Sequence, residues 1–265
     1  MSNLQTPTLF FSFFSFQLLV NFLKTFIMKW NFFIPVVAAA VITSASFVRP
    51  QASLTGAWQV KSDTGEQVLI FMDGYFSYAS FNKANKKFIR TFGGTVAEAG
   101  GQLHVNIEFD TESKDNVGKH MHYAVSVSEK TMKLNLGSMA ENWERIDDGK
   151  AELAGNWRIT GRMNNNQVQP IQLSARKTLK LLSGTRFQWM AINTETKEFF
   201  GTGGGTYTFI NGKYTENIEF FSRDSTRVGA SLTFDGSVSG YVWTHKGLSS
   251  RGDPIHEEWT REVKQ

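Results

Sequence analysis

From Leu54 to the end of the chain, apolar and polar residues alternate in short runs bounded by turn residues. Val105, Ile107 and Phe109 interleave with His104, Asn106 and Glu108, the pattern of a strand with one dry face. The same reading predicts strands over 54–61, 66–72, 75–82, 87–97, 102–111, 119–127, 131–137 and 140–146. Asp73-Gly74, Ala99-Gly100-Gly101, Asp115-Asn116 and Asn211-Gly212 supply the turns, and Asn211-Gly212 is a strong hairpin signal. No segment after residue 50 has a convincing helical period. Ser174 to Leu182 comes nearest and is short enough to be strand.

The pattern occurs twice. Phe76, Asn82, Lys86, Phe88, Gly93-Gly94-Thr95, Gly101 and Asn106-Ile107-Glu108-Phe109 fall at one constant offset on Phe187, Asn193, Lys197, Phe199, Gly204-Gly205-Thr206, Gly212 and Asn217-Ile218-Glu219-Phe220. The modules open alike, with Leu54, Gly56 and Trp58 matched by Leu153, Gly155 and Trp157, and close alike, with Trp143-Glu144-Arg145 and Trp259-Thr260-Arg261. A dense, gapless self-match marks a duplicated unit. It divides the chain into modules over 53–149 and 150–265, the second carrying an insertion around Gly161 to Lys177 whose Asn164-Asn165-Asn166 run is loop-like. Eight short antiparallel strands with tight turns suit an up-and-down sheet that closes on itself and so hides its edges. The expected fold is all-β: two tandem small up-and-down barrels behind an N-terminal hydrophobic leader.

That leader, residues 1–52, holds two apolar runs, Thr8 to Ile27 and Phe32 to Val48. The second reads as a secretory signal: Met28 as the natural start, Lys29 as its basic flank, and Thr43-Ser44-Ala45 as small residues suited to cleavage. Retention as a membrane anchor is the alternative; each run is near the lower limit for spanning, and Asn21 and Lys24 interrupt the first. The expected localisation is therefore exported, with any membrane contact made through the leader alone.

Composition adds limits. The chain is 41% hydrophobic and 14% aromatic, with 23 Phe and 7 Trp, which points to wide aromatic interiors. Two of the four net positive charges are Lys24 and Lys29 in the leader, so the modules are too nearly neutral to argue for nucleic acid or anionic lipid. Cysteine is absent, which excludes disulfides, thiolate metal sites and a thiol nucleophile.

Gly-x-Trp on the first strand with an Arg near the last resembles the lipocalin-like (calycin) barrels, in which the indole lies across the closed end and the guanidinium packs over it. This chain carries both halves twice: Gly56, Trp58 and Arg145, then Gly155, Trp157 and Arg261. The Gly-Gly-Thr motif with Ile-Glu-Phe and a terminal Glu-Trp-x-Arg is similar to small secreted bacterial lipocalin-like proteins of unknown function. The resemblance implies structural roles for the Trp and Arg residues, worth about 0.5–2 kcal/mol per cation–π contact, and a barrel mouth as the binding site. Each module is short for a ligand-carrying barrel, so the cavity is expected to be shallow or filled.

Phe76, Tyr78, Phe88, Phe187, Trp189, Phe199 and Tyr207 are expected to line the interiors, as plain core or as walls of a pocket for an apolar or ring-shaped ligand. Glu108 and Glu219, beside Asn106 and Asn217, either point into a cavity or lie on the solvent face, and alternation favours the solvent face. His120 and His122 share a strand face, but nothing in the spacing places an acid beside them, so neither a metal nor a cofactor is expected. Arg251-Gly252-Asp253 before Pro254 reads as a turn. Gly203-Gly204-Gly205 is no phosphate loop, since no helix follows. No catalytic residue is assigned. The expected function is non-enzymatic: binding a small, largely apolar ligand, or acting as an envelope interaction module. The alternative is an isomerase or hydrolase built on a buried Glu/Tyr pair, Glu219 with Tyr207 or Tyr241. Oligomeric state has no signal in the sequence.

Overall fold

The computed structural model describes residues 52–136, 142–164 and 167–263. The leader expected over residues 1–52 lies outside them but for its last residue. Strands β1 (Gly56–Ser62), β2 (Gly65–Met72), β3 (Tyr75–Asn82), β4 (Lys87–Ala99), β5 (Gln102–Asp110), β6 (His120–Val127), β7 (Thr131–Leu134) and β8 (Asn142–Asp147) pair antiparallel in chain order. Strand β8 returns to β1 and closes a barrel. The second half begins with β9 (Gly155–Asn164) and the short β10 (Gln167–Pro170). It continues with β11 (Arg176–Leu182), β12 (Arg186–Asn193), β13 (Glu198–Ile210), β14 (Lys213–Phe221), β15 (Ser231–Ser239), β16 (Val242–Leu248) and β17 (Pro254–Arg261). Strand β17 pairs with β9 to close a second eight-stranded ring. The two tandem barrels expected from the repeat are what the chain forms.

The insertion expected from Gly161 adds a short hairpin: β9 runs on to Asn164, and β10 folds back along it outside the ring, while Asn165 and Asn166 of the loop-like run lie outside the described residues. The expected turns hold. Asp73-Gly74 and Asn211-Gly212 both have positive φ at the two central positions, the geometry that matches the twist of a two-residue hairpin.

The Gly-Gly-Thr motif marks a bulge repeated in both barrels. Register slips between Gly93 and Gly94, opposite β5, and between Gly204 and Gly205, opposite β14. A side chain at Gly94 or Gly205 would meet a facing carbonyl at 2.0 Å. At Gly93 it would meet the Phe109 ring at 2.8 Å, and at Gly204 the Phe220 ring at 2.6 Å. The extra residue breaks the alternation of β5 and β14. Ile107 and Ile218 stay inside their barrels, while Phe109 and Phe220 turn outward.

Outward does not mean into water. Residues 51–265 make one compact unit. Val68, Ile70 and Met72 of β2 with Tyr75, Ala79 and Phe81 of β3 bury their outer face against Leu179, Leu181, Met190 and Ile192 of β11 and β12. The contact has approximate two-fold symmetry. Phe88 stacks near Phe220 and Phe109 near Phe199, both with ring centres 6.2 Å apart, and these pairs are equivalent under the repeat. At the centre, Gln188 Nε2 donates to Thr91 (2.8 Å) and to Thr202 (3.1 Å), themselves equivalent residues. Phe88 and Phe199, expected to line barrel interiors, therefore belong to the seam between barrels.

The barrel floors follow the same logic with one departure. Trp58 and Trp157 each donate from Nε1 to the carbonyl four residues earlier, Leu54 and Leu153, at 2.8 Å. The Arg145 guanidinium lies 3.9 Å from the Trp58 ring centre and donates to the carbonyls of Ser53, Thr55 and Glu129. Arg261 sits opposite Trp157 in register, but its guanidinium turns to Asp73 in the β2–β3 turn of the first barrel, with two bonds of 2.8 and 2.9 Å. The second stack is thus replaced by a bidentate ion pair across the seam, because a carboxylate matches the guanidinium fork better than an aromatic face does. Gly56 and Gly155 serve these floors differently. A side chain would collide with the Asp147 carbonyl at the first and with Arg261 and Asp73 at the second.

Candidate functional site

The interiors of the two barrels are not alike. In the first, Leu69, Leu103, Val105 and Leu134 pack with Trp58, Phe76, Tyr78, Met132 and Trp143 in an apolar core. The repeat places Lys180, Tyr214 and Glu216 at the positions of Leu69, Leu103 and Val105. The strand pairing places His245 at that of Leu134, since Trp243 and Met132 each face the closing Trp, Trp259 or Trp143.

These residues form one polar cluster inside the second barrel. Lys180 Nζ lies 2.7 Å from Glu216 Oε1, with 6% and 4% of the two residues exposed. The Tyr214 hydroxyl donates to the same oxygen at 2.8 Å. The ammonium also sits 5.1–5.4 Å from the ring centres of Trp259, Tyr214 and Trp243. Glu257 on β17 faces His245 on β16, with Oε2 and Nε2 3.3 Å apart. Three buried ring nitrogens nearby have no hydrogen-bond partner among the described residues: Trp243 Nε1, Trp259 Nε1 and His245 Nδ1. Buried polar groups are normally satisfied, so such a group left without a partner asks for an explanation.

A cavity of about 220 Å³ opens on this cluster. Lys180, Glu216, Phe234, His245, Glu257 and Trp259 form its inner part; Thr178, Trp189, Phe221, Leu232 and Ser249 form a half-exposed rim. The first barrel is covered at the matching place. Arg90 reaches over Tyr78 and Phe92, 5.8 and 5.3 Å from their ring centres, whereas the repeat puts Gly201 at that position in the second barrel. Larger hollows lie elsewhere: about 430 Å³ beside Val125 and Leu134, and about 480 and 1090 Å³ near Ala52 and Ser53, the 480 Å³ one bordered by Leu54, Phe71 and Val96 of the first barrel's core. There Asp73 pairs with Arg261, and Asp148 with Lys150.

Electrostatics mark the cluster as costly to build. Burial pushes the His245 imidazole below its ordinary pKa, against the pull of Glu257, and with Lys180 adding to the push. Burial works to raise Glu257, but its hydrogen bond and charge contact with His245, helped by Lys180 and Arg162, hold it below the usual range. Burial and the Glu216 carboxylate push the Tyr214 hydroxyl well up.

A pH dependence follows. His245 is depressed in the folded state, so its stabilising contribution is complete above its unfolded value of about 6.5 and is lost as pH falls through the lower folded value. Glu257 acts with the same sign but only at lower pH, below about 4.3. The thermal midpoint is therefore expected to fall as pH drops from about 7 to 5.5, and the fall should flatten in His245→Leu, which carries the first barrel's residue. Midpoints across that range check this; equal slopes for both proteins would contradict it.

The expected site residues divide cleanly. Phe76 and Tyr78 lie in the first barrel's core, and Phe187, Trp189 and Tyr207 inside the second, where only Trp189 lines the cavity. Glu108 and Glu219 are neither in a cavity nor on the solvent face: they turn outward from the barrels, and that outer face is the seam. Glu108 accepts from the Tyr75 hydroxyl at 2.9 Å and pairs with Lys177 at 2.8 Å. Glu219 pairs with Arg186 and, at 2.9 Å, with Lys83. The suggested catalytic pair is not formed: the Tyr207 hydroxyl donates to the Ser183 carbonyl, and Tyr241 is 65% exposed. His122 meets His104 of β5 across the strands, Nδ1 to Nδ1 at 2.8 Å, and no group of three metal-binding side chains exists among the described residues. Arg251-Gly252-Asp253 closes the β16–β17 turn, with backbone bonds between Ser249 and both Gly252 and Asp253.

The residues that sequence reasoning missed are Lys180, Tyr214, Glu216, His245 and Glu257. Three carried a signal. Glu216 is in phase with Tyr214 and Ile218, His245 with Trp243, and Glu257 with Trp259, so each polar group shares a face with core aromatics or aliphatics. Compared with known proteins, the chain matches no family model and no curated protein.

Proposed function

We propose that this chain is a small-molecule-binding protein whose second barrel holds the ligand and whose first barrel is a filled structural partner. One observation carries the reading: positions that are Leu69, Leu103 and Val105 in one copy are Lys180, Tyr214 and Glu216 in the other, beside a cavity and unpartnered ring nitrogens. A core selected only for stability gains nothing from a buried ion pair, which is often no better than apolar residues of the same size. The ligand is small: about 220 Å³ is room for about seven waters at about 30 Å³ each. It meets aromatic walls and a polar base, a departure from the largely apolar ligand that composition suggests.

Assignment to the lipocalin-like barrels is supported by the doubled Gly-x-Trp and Trp-x-Arg frame, and export by the apolar runs around Lys29. The rival reading, an isomerase or hydrolase, would use Tyr214 and Glu216, a Glu/Tyr pair buried in this interior. A general base needs an oxygen at hand to take a proton. Glu216 Oε1 is already engaged by Lys180 and Tyr214, so binding is the better supported role.

Native mass spectrometry of protein from its own host tests the proposal. The wild type is expected to keep a bound small molecule. Thr178→Trp, which plugs the cavity from its rim, is expected to lose it while remaining folded. A bare wild type, or an adduct that survives the plug, overturns the proposal.

A further inference from the structure

The cavity's chemistry can be carried one step further, to the class of molecule that completes it. This step rests on the binding role proposed for the second barrel. Among the described residues, the charged groups lining the cavity are Lys180, Glu216 and Glu257. Lys180 and Glu216 neutralise one another at 2.7 Å. Glu257 has no equal partner. Its near neighbour His245 is held neutral by burial, and Arg162 reaches it only at 3.8 Å with a side chain 67% exposed to water. With Lys180 matched to Glu216 and Arg162 lying at the exposed edge, the lining among the described residues keeps a net negative charge on Glu257, which its contact with His245 and the nearby cations hold ionised.

The unpartnered nitrogens agree with that count. Neutral His245 donates from Nε2 to Glu257, which leaves Nδ1 a bare lone pair, buried and calling for a donor. Trp259 Nε1–H, in the same cavity, calls for an acceptor. The aromatic faces of Trp189, Phe221, Phe234 and Trp259 surround the space and attract positive charge. We infer that the second barrel binds a small organic cation: a protonated amine on a compact, ring-sized body that also carries one hydrogen-bond acceptor. The ammonium supplies the charge that Glu257 lacks and a donor for His245, and the acceptor serves Trp259.

Three probes of one shape separate charge from size: tyramine, its neutral alcohol tyrosol, and the anion 4-hydroxyphenylacetate. Titration calorimetry on the wild-type chain is expected to show tyramine bound about tenfold or more tighter than tyrosol, with the anion weakest. Glu257→Gln is expected to bring tyramine and tyrosol to within about threefold of each other. Circular dichroism of that variant confirms that its fold is kept. Equal binding of all three, or preference for the anion, overturns the amine assignment and leaves the cavity as a binding site. Failure of all three to bind wild type that has been stripped of its host-derived molecule by unfolding and refolding overturns the assignment too. The binding role itself falls only with the plug experiment.

Discussion

Lys180→Leu, with Glu216 left in place, is expected to lower stability by about 3–5 kcal/mol, because it strands a carboxylate inside an aromatic barrel. Denaturant unfolding would show this as a lower midpoint at an unchanged slope. The triple change Lys180→Leu, Tyr214→Phe and Glu216→Val removes every member of the hydrogen-bonded set and restores the first barrel's residues at two of the three positions. It should return stability to within about 1 kcal/mol of the wild type, or above it, since apolar replacements of buried pairs are often neutral or stabilising. The two results together would show that the pair is not retained for stability. If the triple variant is as damaged as the single one, the pair is part of the core's fit, and the argument for a ligand site loses its main support.

Phe220→Ala is expected to cost about 3–5 kcal/mol, the range for deleting a buried ring. Phe220 is 3% exposed and stacks on Phe81 of the other barrel at 4.7 Å, with Phe88 beyond it at 6.2 Å. The sharper expectation concerns cooperativity. Because the barrels share a buried seam, circular dichroism and tryptophan fluorescence should report one coincident transition, shifted as a whole by the substitution. Two separated transitions in the wild type would mean that each barrel stands alone.

Much of the fold could be read in the sequence because strands, turns and the repeat each leave a local mark. Asp73-Gly74 and Asn211-Gly212 state their turn type outright, and the gapless match fixes the order of the strands. Sidedness was harder. The outer face of β11 is the buried one, so Leu179 and Leu181 face the neighbouring barrel while Lys180 points inward. The same three letters on a half-wet strand would place the leucines inside and the lysine in water. A clue was present in Val68-Leu69-Ile70-Phe71-Met72, a continuous apolar run that signals burial on both faces. Glu108 and Glu219 were misplaced for a different reason. Alternation turns them outward correctly, but the outer face there is covered by the other barrel. The bulge opposite Gly94 and Gly205 adds Phe109 and Phe220 to that face, which a strict period of two does not anticipate. His245 and Glu257 meet across the β16–β17 hairpin, and their pairing depends on a register set by the turn over Ser249 to Asp253, which carries no two-residue turn signal of its own.

Joining the two copies in one chain has a consequence that a pair of separate identical subunits could not have. In a symmetric dimer, any change at the position of Leu69 would enter both interiors at once, and the cost of burying a charge would be doubled. Here the lysine occurs in one copy alone, and the other copy still supplies its full share of the common seam. Fusion thus frees one half to be specialised at the expense of its own robustness, while the other acts as ballast.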